Sequence, residues 1–141
     1  SMHGSTDAVL FICALHNLAR FGGHRDNLSE ALVDALMLLK PGGTLGVVQH
    51  RAPSQAAEHW ANGSNGYLKE SFVIEAAQRA GFEFVDRSDH NSNKKDRPTE
   101  DDTVWRLPPT LAGSEGNSDR TSEMMAIGES DRMTLKFRKP L

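Results

Sequence analysis

With 141 residues, 38% hydrophobic and 25% charged, and a formal net charge of −3, the chain has the make-up of one soluble domain that buries its own core without disulfide or metal staples. The mildly acidic balance and scattered basic residues argue against a nucleic-acid partner, and no stretch approaches the roughly 20 apolar residues of a membrane span. The single cysteine, Cys13, lies in an apolar run and reads as a buried, inert thiol.

In chain order, residues 1–6 read as a tag or linker remnant, so the natural amino terminus and any targeting signal are expected upstream. Compartment stays open, with cytoplasm as the default. Asp7 to Leu15 is a continuous apolar run expected to form a strand buried on both faces of a parallel sheet. Asn27, with Glu30 three residues on, predicts the start of a helix over about 28–40 whose face carries Leu28, Leu32, Leu36 and Leu39. Pro41-Gly42-Gly43 ends that helix, and Thr44 to Gln49 reads as the second strand.

Residues 51–66, rich in Asn, Gly and Ser, are expected to form a loop or short helix over the sheet's end. Helical spacing of Phe72, Val73, Ala76, Ala77 and Ala80 predicts a second helix over 69–80, stopped by Gly81. A third strand follows over 82–88. Alternation of Met133, Leu135 and Phe137 with Arg132, Thr134 and Lys136 marks a half-buried fourth strand. Between them lies a polar excursion over about 90–130, in which Trp105-Arg106-Leu107-Pro108-Pro109 is the anchoring piece and 113–122 reads as mobile. The layout is α/β, with the first strands parallel and the first strand an apolar edge that something should cover.

Leu39-Lys40-Pro41-Gly42-Gly43 followed by an apolar strand resembles the motif before the fifth strand of class I S-adenosylmethionine-dependent methyltransferases. With the segments 14–17, 46–52, 80–82, 104–109 and 127–133, it makes residues 7–141 similar to a group of predicted bacterial methyltransferases. The resemblance implies a carboxy-terminal half of a Rossmann-like sheet: strands four to seven, the last antiparallel and inserted between the fifth and sixth, with the amino-terminal half missing. It implies S-adenosylmethionine as the complete protein's cofactor and a small-molecule methyl acceptor. No G-x-G-x-x-G turn occurs after a strand, since Gly42-Gly43 precedes one and Gly22-Gly23 follows a loop, so cofactor-binding residues stay unassigned and this chain alone is expected to be inactive.

Ligands of open α/β sheets gather at the strands' carboxyl ends. His16 after the first strand and His50 after the second are the candidate bases, because methyl transfer often needs the acceptor's proton removed near neutral pH. Asn17, Arg51, Asn91, Asn93, Trp105, Glu129, Asp131 and Arg132 are candidate substrate-binding groups, each with a structural alternative as turn, cap or ion pair. The six histidines show no metal-ligand spacing, so no metal is expected. Trp60 and Tyr67 flank the glycine-rich loop as packing or as a stacking surface. The rival reading is a non-catalytic module that pairs with a second copy through the edge of its first strand.

Overall fold

The apolar run near the start of the chain divides into two elements. In the computed structural model, which describes residues 2–21 and 24–141, Thr6–Ile12 forms strand β1 and Leu15–Arg20 the short helix α1. Ser1 and the Gly22-Gly23 pair lie outside the described residues. The Cys13 amide donates to Val48, and Cys13 then takes a left-handed φ of 50°, which turns the chain out of the sheet. The expected strand therefore stops three residues before Leu15, because a purely apolar run suits a strand or a buried helical turn equally well.

Helix α2, Asn27–Leu38, is capped by Asp26 rather than Asn27: the Asp26 carboxylate accepts from the Ser29 backbone and hydroxyl. It buries Leu28, Leu32 and Ala35. It ends before residue 40, because Leu39 is already extended and opens strand β2, Leu39–His50. The Pro-Gly-Gly segment lies inside that strand as a bulge: Thr6 pairs with Leu39 but Ala8 with Thr44, and Gly42 adopts a φ of 79°.

Helix α3, Glu70–Ala80, ends on Gly81 in the left-handed conformation, whose amide reaches the carbonyls of Ala77 and Gln78. Strand β3 is Glu83–Ser88. A 3₁₀ turn at Val104–Arg106 buries Val104 and Arg106. Part of the segment read as mobile belongs to helix α4, Ser118–Ile127, which Asn117 caps by accepting from the Arg120 amide. Its weak apolar stripe, with Met124 the buried residue, conceals it in the sequence. Strand β4 is Arg132–Arg138.

The sheet order is β1-β2-β4-β3, with β1 and β2 parallel and β4 antiparallel to both neighbours. This is the mixed order expected of the last strand's insertion. Helices α2 and α3 cover one face, over a core that includes Leu45, Val47, Leu135 and Phe137. Phe82 and Phe84 meet Phe137 edge to face. β1 is not buried on both faces as expected: Val9 and Phe11 turn toward that core, while Leu10 is 65% and Ile12 57% exposed, because both core helices lie on the same side. Cys13 is half-buried rather than buried as expected, and the burial it has pushes its thiol pKa up. Among the described residues no helix is long and apolar enough to cross a membrane.

Candidate active site

The two candidate histidines meet where β1 and β2 end. His16 comes from α1 and His50 closes β2, with ring centroids 5.4 Å apart. What holds them is Gln49, a fully buried amide on the same strand face as Leu45 and Val47. Its Nε2 donates to the Gly66 carbonyl at 2.9 Å and to that of His50 at 3.3 Å, which fixes the amide orientation and leaves Oε1 to accept. Oε1 takes the His16 amide at 3.2 Å and lies 3.3 Å from His16 Nδ1. His16 Nδ1 therefore carries the proton and Nε2 the lone pair. Gly63 closes this arrangement, since a Cβ there would stand 2.7 Å from the His16 carbonyl oxygen on a backbone already at φ 95°.

His50 Nδ1 is hydrogen-bonded to Ser130 Oγ, leaving Nε2 as the nitrogen free of partners among the described residues. Burial, then the neighbouring His16 ring, then Arg132 lower the His50 pKa to about 4. His16 is lowered too, by burial and by Arg20, against an opposing hydrogen bond from Gln49. Both imidazoles are neutral at neutral pH, and burial makes each a weaker base than a free imidazole.

A cavity of about 300 Å³ opens on His50. Its apolar wall is Val104, Trp105, Leu107 and the cis Pro108-Pro109 pair, and its polar wall is Glu129, Ser130 and Arg132. His50 and Arg132 are register partners on adjacent antiparallel strands, which puts their side chains side by side. Trp105 also stands edge-on to His16, with centroids 6.1 Å apart, and the Arg20 guanidinium lies 4.9 Å from its ring. A larger cavity of about 570 Å³, lined by Asp26, Leu28, Glu58, Lys69 and Glu75 among others, lies beside the starts of α2 and α3 and touches neither histidine. The smaller one is the better site candidate, because apolar walls and convergent polar groups coincide there.

The remaining candidates divide clearly. Trp105, Glu129 and Arg132 join His50 at the cavity. Arg51 is heavily engaged: Asp131 takes its Nε at 3.0 Å and one Nη2 bond at 2.9 Å, Glu70 its Nη1 at 3.1 Å and Ser92 its Nη2 at 2.9 Å. Hydrogen bonds and charge from Asp131 raise its pKa despite burial. Asp131 also accepts from the Asn93 amide and donates its own amide to Asp96. Asn93 Nδ2 ties down the carbonyls of Ile127 and Glu129, and Asn91 Nδ2 donates to Thr134. These four side chains pin the excursion to the sheet and lie outside the lining of this cavity. Asn17 is exposed on α1, and its side chain makes no hydrogen bond among the described residues.

Beneath the cavity wall lies a buried triad in which Tyr67 donates to Asp96 at 2.8 Å, while Arg106 reaches Asp96 at 2.7 Å and the Tyr67 hydroxyl at 2.9 Å. Burial and the Asp96 charge push the Tyr67 pKa well above its usual value. Trp60 stacks on Tyr67, so this aromatic pair is packing rather than a substrate platform. Sequence reasoning assigned no role to Gln49, Ser130 or Asp96. Gln49 leaves a signal, a polar residue on the inward face of an alternating strand; the others leave none.

No protein-family profile and no curated protein matches the chain by sequence. Solved structures do match. The [4+2]-cyclase SpnF is 19% identical at a TM-score of 0.60, over 99% of this chain and 51% of that one. A candidate methyltransferase from Bacillus halodurans is 16% identical at 0.58, over 99% and 72%. The 1,6-didemethyltoxoflavin-N1-methyltransferase of Burkholderia thailandensis, solved with its substrate and S-adenosylhomocysteine, is 15% identical at 0.53, over 99% and 46%. The chain thus has the α/β Rossmann-like fold of class I methyltransferases and spans about half the length of SpnF and of the Burkholderia enzyme.

Proposed function

We propose that the complete protein transfers a methyl group from S-adenosylmethionine to a small-molecule acceptor, and that this chain supplies the acceptor side of the site. A fold shared by a [4+2]-cyclase and by methyltransferases does not fix the reaction. The observation that carries the reading is geometric: His50 stands at a cavity over the strands' carboxyl ends, with Nδ1 held by Ser130 and Nε2 free of partners among the described residues. It accepts the acceptor's proton, Ser130 orients its ring, and Trp105, Pro108 and Pro109 keep water from the reacting atoms.

Among the described residues no glycine-rich turn joins a strand to a helix: β1 passes to α1 through Cys13-Ala14, and β2 runs into the irregular segment 51–69. The expectation is that S-adenosylhomocysteine shows negligible heat of binding to this chain, whereas a chain extended upstream binds it. In that longer chain His50→Gln lowers kcat by about 10²–10⁴-fold without changing S-adenosylhomocysteine affinity. Tight binding by the present chain, or full activity of His50→Gln, contradicts the reading.

The edge of β1 favours a second reading, a non-catalytic module that pairs with another copy. β1 pairs only with β2 among the described residues, and exposed Leu10 and Ile12 lie on it. Sedimentation decides: a monodisperse monomer removes this reading, and a dimer broken by Leu10→Lys supports it.

A further inference from the structure

Among the described residues Arg132 is the one cation lining the cavity of His50, and its guanidinium is only partly used. Nη2 meets Glu129 at 2.7 Å, while Nε, on the same edge of the group, is buried with no hydrogen-bond partner. Arg51 shows the saturated form of that edge, with Nε and Nη2 both held by the two oxygens of Asp131. Burial distinguishes the partners of the unsaturated pair: the Arg132 side chain is 21% exposed and fixed at the end of β4, whereas the Glu129 side chain is 80% exposed and held there by a single contact. The cation belongs to the site, and the carboxylate is an occupant that leaves easily.

We propose that the cavity binds a small acid with an apolar, flat body, whose anionic group replaces Glu129 and takes both Nε and Nη2 of Arg132. The body lies against Trp105, Leu107 and Pro108, which form the apolar wall. The anion then sits beside the His50 ring, the strand neighbour of Arg132. This names the acceptor class and rests on the acceptor-side reading of the cavity, but binding at Arg132 requires no S-adenosylmethionine and can hold where methyl transfer fails.

Benzoate and phenyl phosphate are the probes, with benzamide as the neutral control, and the readouts are Trp105 fluorescence and the His50 ring resonances. At least one acid should bind at millimolar concentration or tighter while benzamide does not; the tighter of the two identifies a carboxylate or a phosphoryl source. Glu129→Gln should tighten the acid by up to about fivefold, because it removes the internal competitor. Arg132→Lys, which keeps the charge and loses the fork, should weaken it by about tenfold or more. Benzamide binding as tightly as benzoate, unchanged affinity in Arg132→Lys, weaker binding in Glu129→Gln, or no binding of either acid overturns the proposal. Methyl transfer by the longer protein to a neutral acceptor alone overturns it while leaving the methyltransferase reading intact.

Discussion

Arg51 and Asp131 meet edge to edge, Nε to Oδ2 at 3.0 Å and Nη2 to Oδ1 at 2.9 Å. The pair joins the end of β2 to the residue before β4, across 80 positions of sequence, and Asp131 also receives the Asn93 amide. It is the clamp that holds the long excursion over the strand ends, beside the cavity rather than in it.

Asp131→Ala should therefore act on stability. It removes a partly buried partner while Arg51 keeps Glu70, so the cost is expected below that of a fully buried pair, at about 2 kcal/mol. Urea unfolding measures it. A loss under about 0.5 kcal/mol would show the pair to be an ordinary surface contact.

The Tyr67, Asp96 and Arg106 triad predicts an order of effects. Asp96 and Arg106 side chains are 0% and 6% exposed, so Asp96→Ala leaves a buried guanidinium with Asp102 at 3.6 Å as its nearest carboxylate, beside the neutral Tyr67 hydroxyl and Thr103 carbonyl, and should cost about 3–5 kcal/mol. Tyr67→Phe leaves that ion pair intact and should cost about 1 kcal/mol. Equal losses in the two variants would mean that the ion pair contributes nothing beyond the tyrosine's hydrogen bonds.

The histidines predict a pH dependence on the acid side of neutrality. His50 holds its proton in the folded state only below about 4, against 6.5 in the unfolded chain. Between those values the unfolded state binds more protons, so stability is full above pH 6.5 and falls as pH drops toward 4. By pH 5.5 the loss from this one group is about 1 kcal/mol, and His16, lowered in the same direction, adds to it. His50→Gln should flatten the slope of urea midpoint against pH between 7.5 and 5.5. An unchanged slope would place the lost stability elsewhere.

Elements with a single strong period were legible from the sequence alone. The alternation through Met133, Leu135 and Phe137 gave β4, and the stripe of Val73, Ala76 and Ala77 ahead of Gly81 gave α3, since each period buries one face and no other structure does so as well. Where the pattern was uniform, as in the apolar run to Leu15, or weak, as in α4, the boundary or the element was lost. The mixed strand order was implied by the resemblance to class I methyltransferases, which the Pro41-Gly42-Gly43 motif carries in part, although those residues prove to be a bulge inside β2.

The histidines could be named from the sequence because strand ends collect ligands, and that rule needs only the strands. Which polar groups converge on them depended on tertiary structure. A guanidinium's position in the chain does not say which carboxylate it will meet: Arg51 and Arg132 look equivalent as basic residues near strand ends, yet folding gives Arg51 two acids and a hydroxyl and leaves Arg132 with one exposed acid and an unused Nε. That difference lies in partners 19 to 80 residues away for Arg51 and three for Arg132, and it makes one a clamp and the other a candidate for binding.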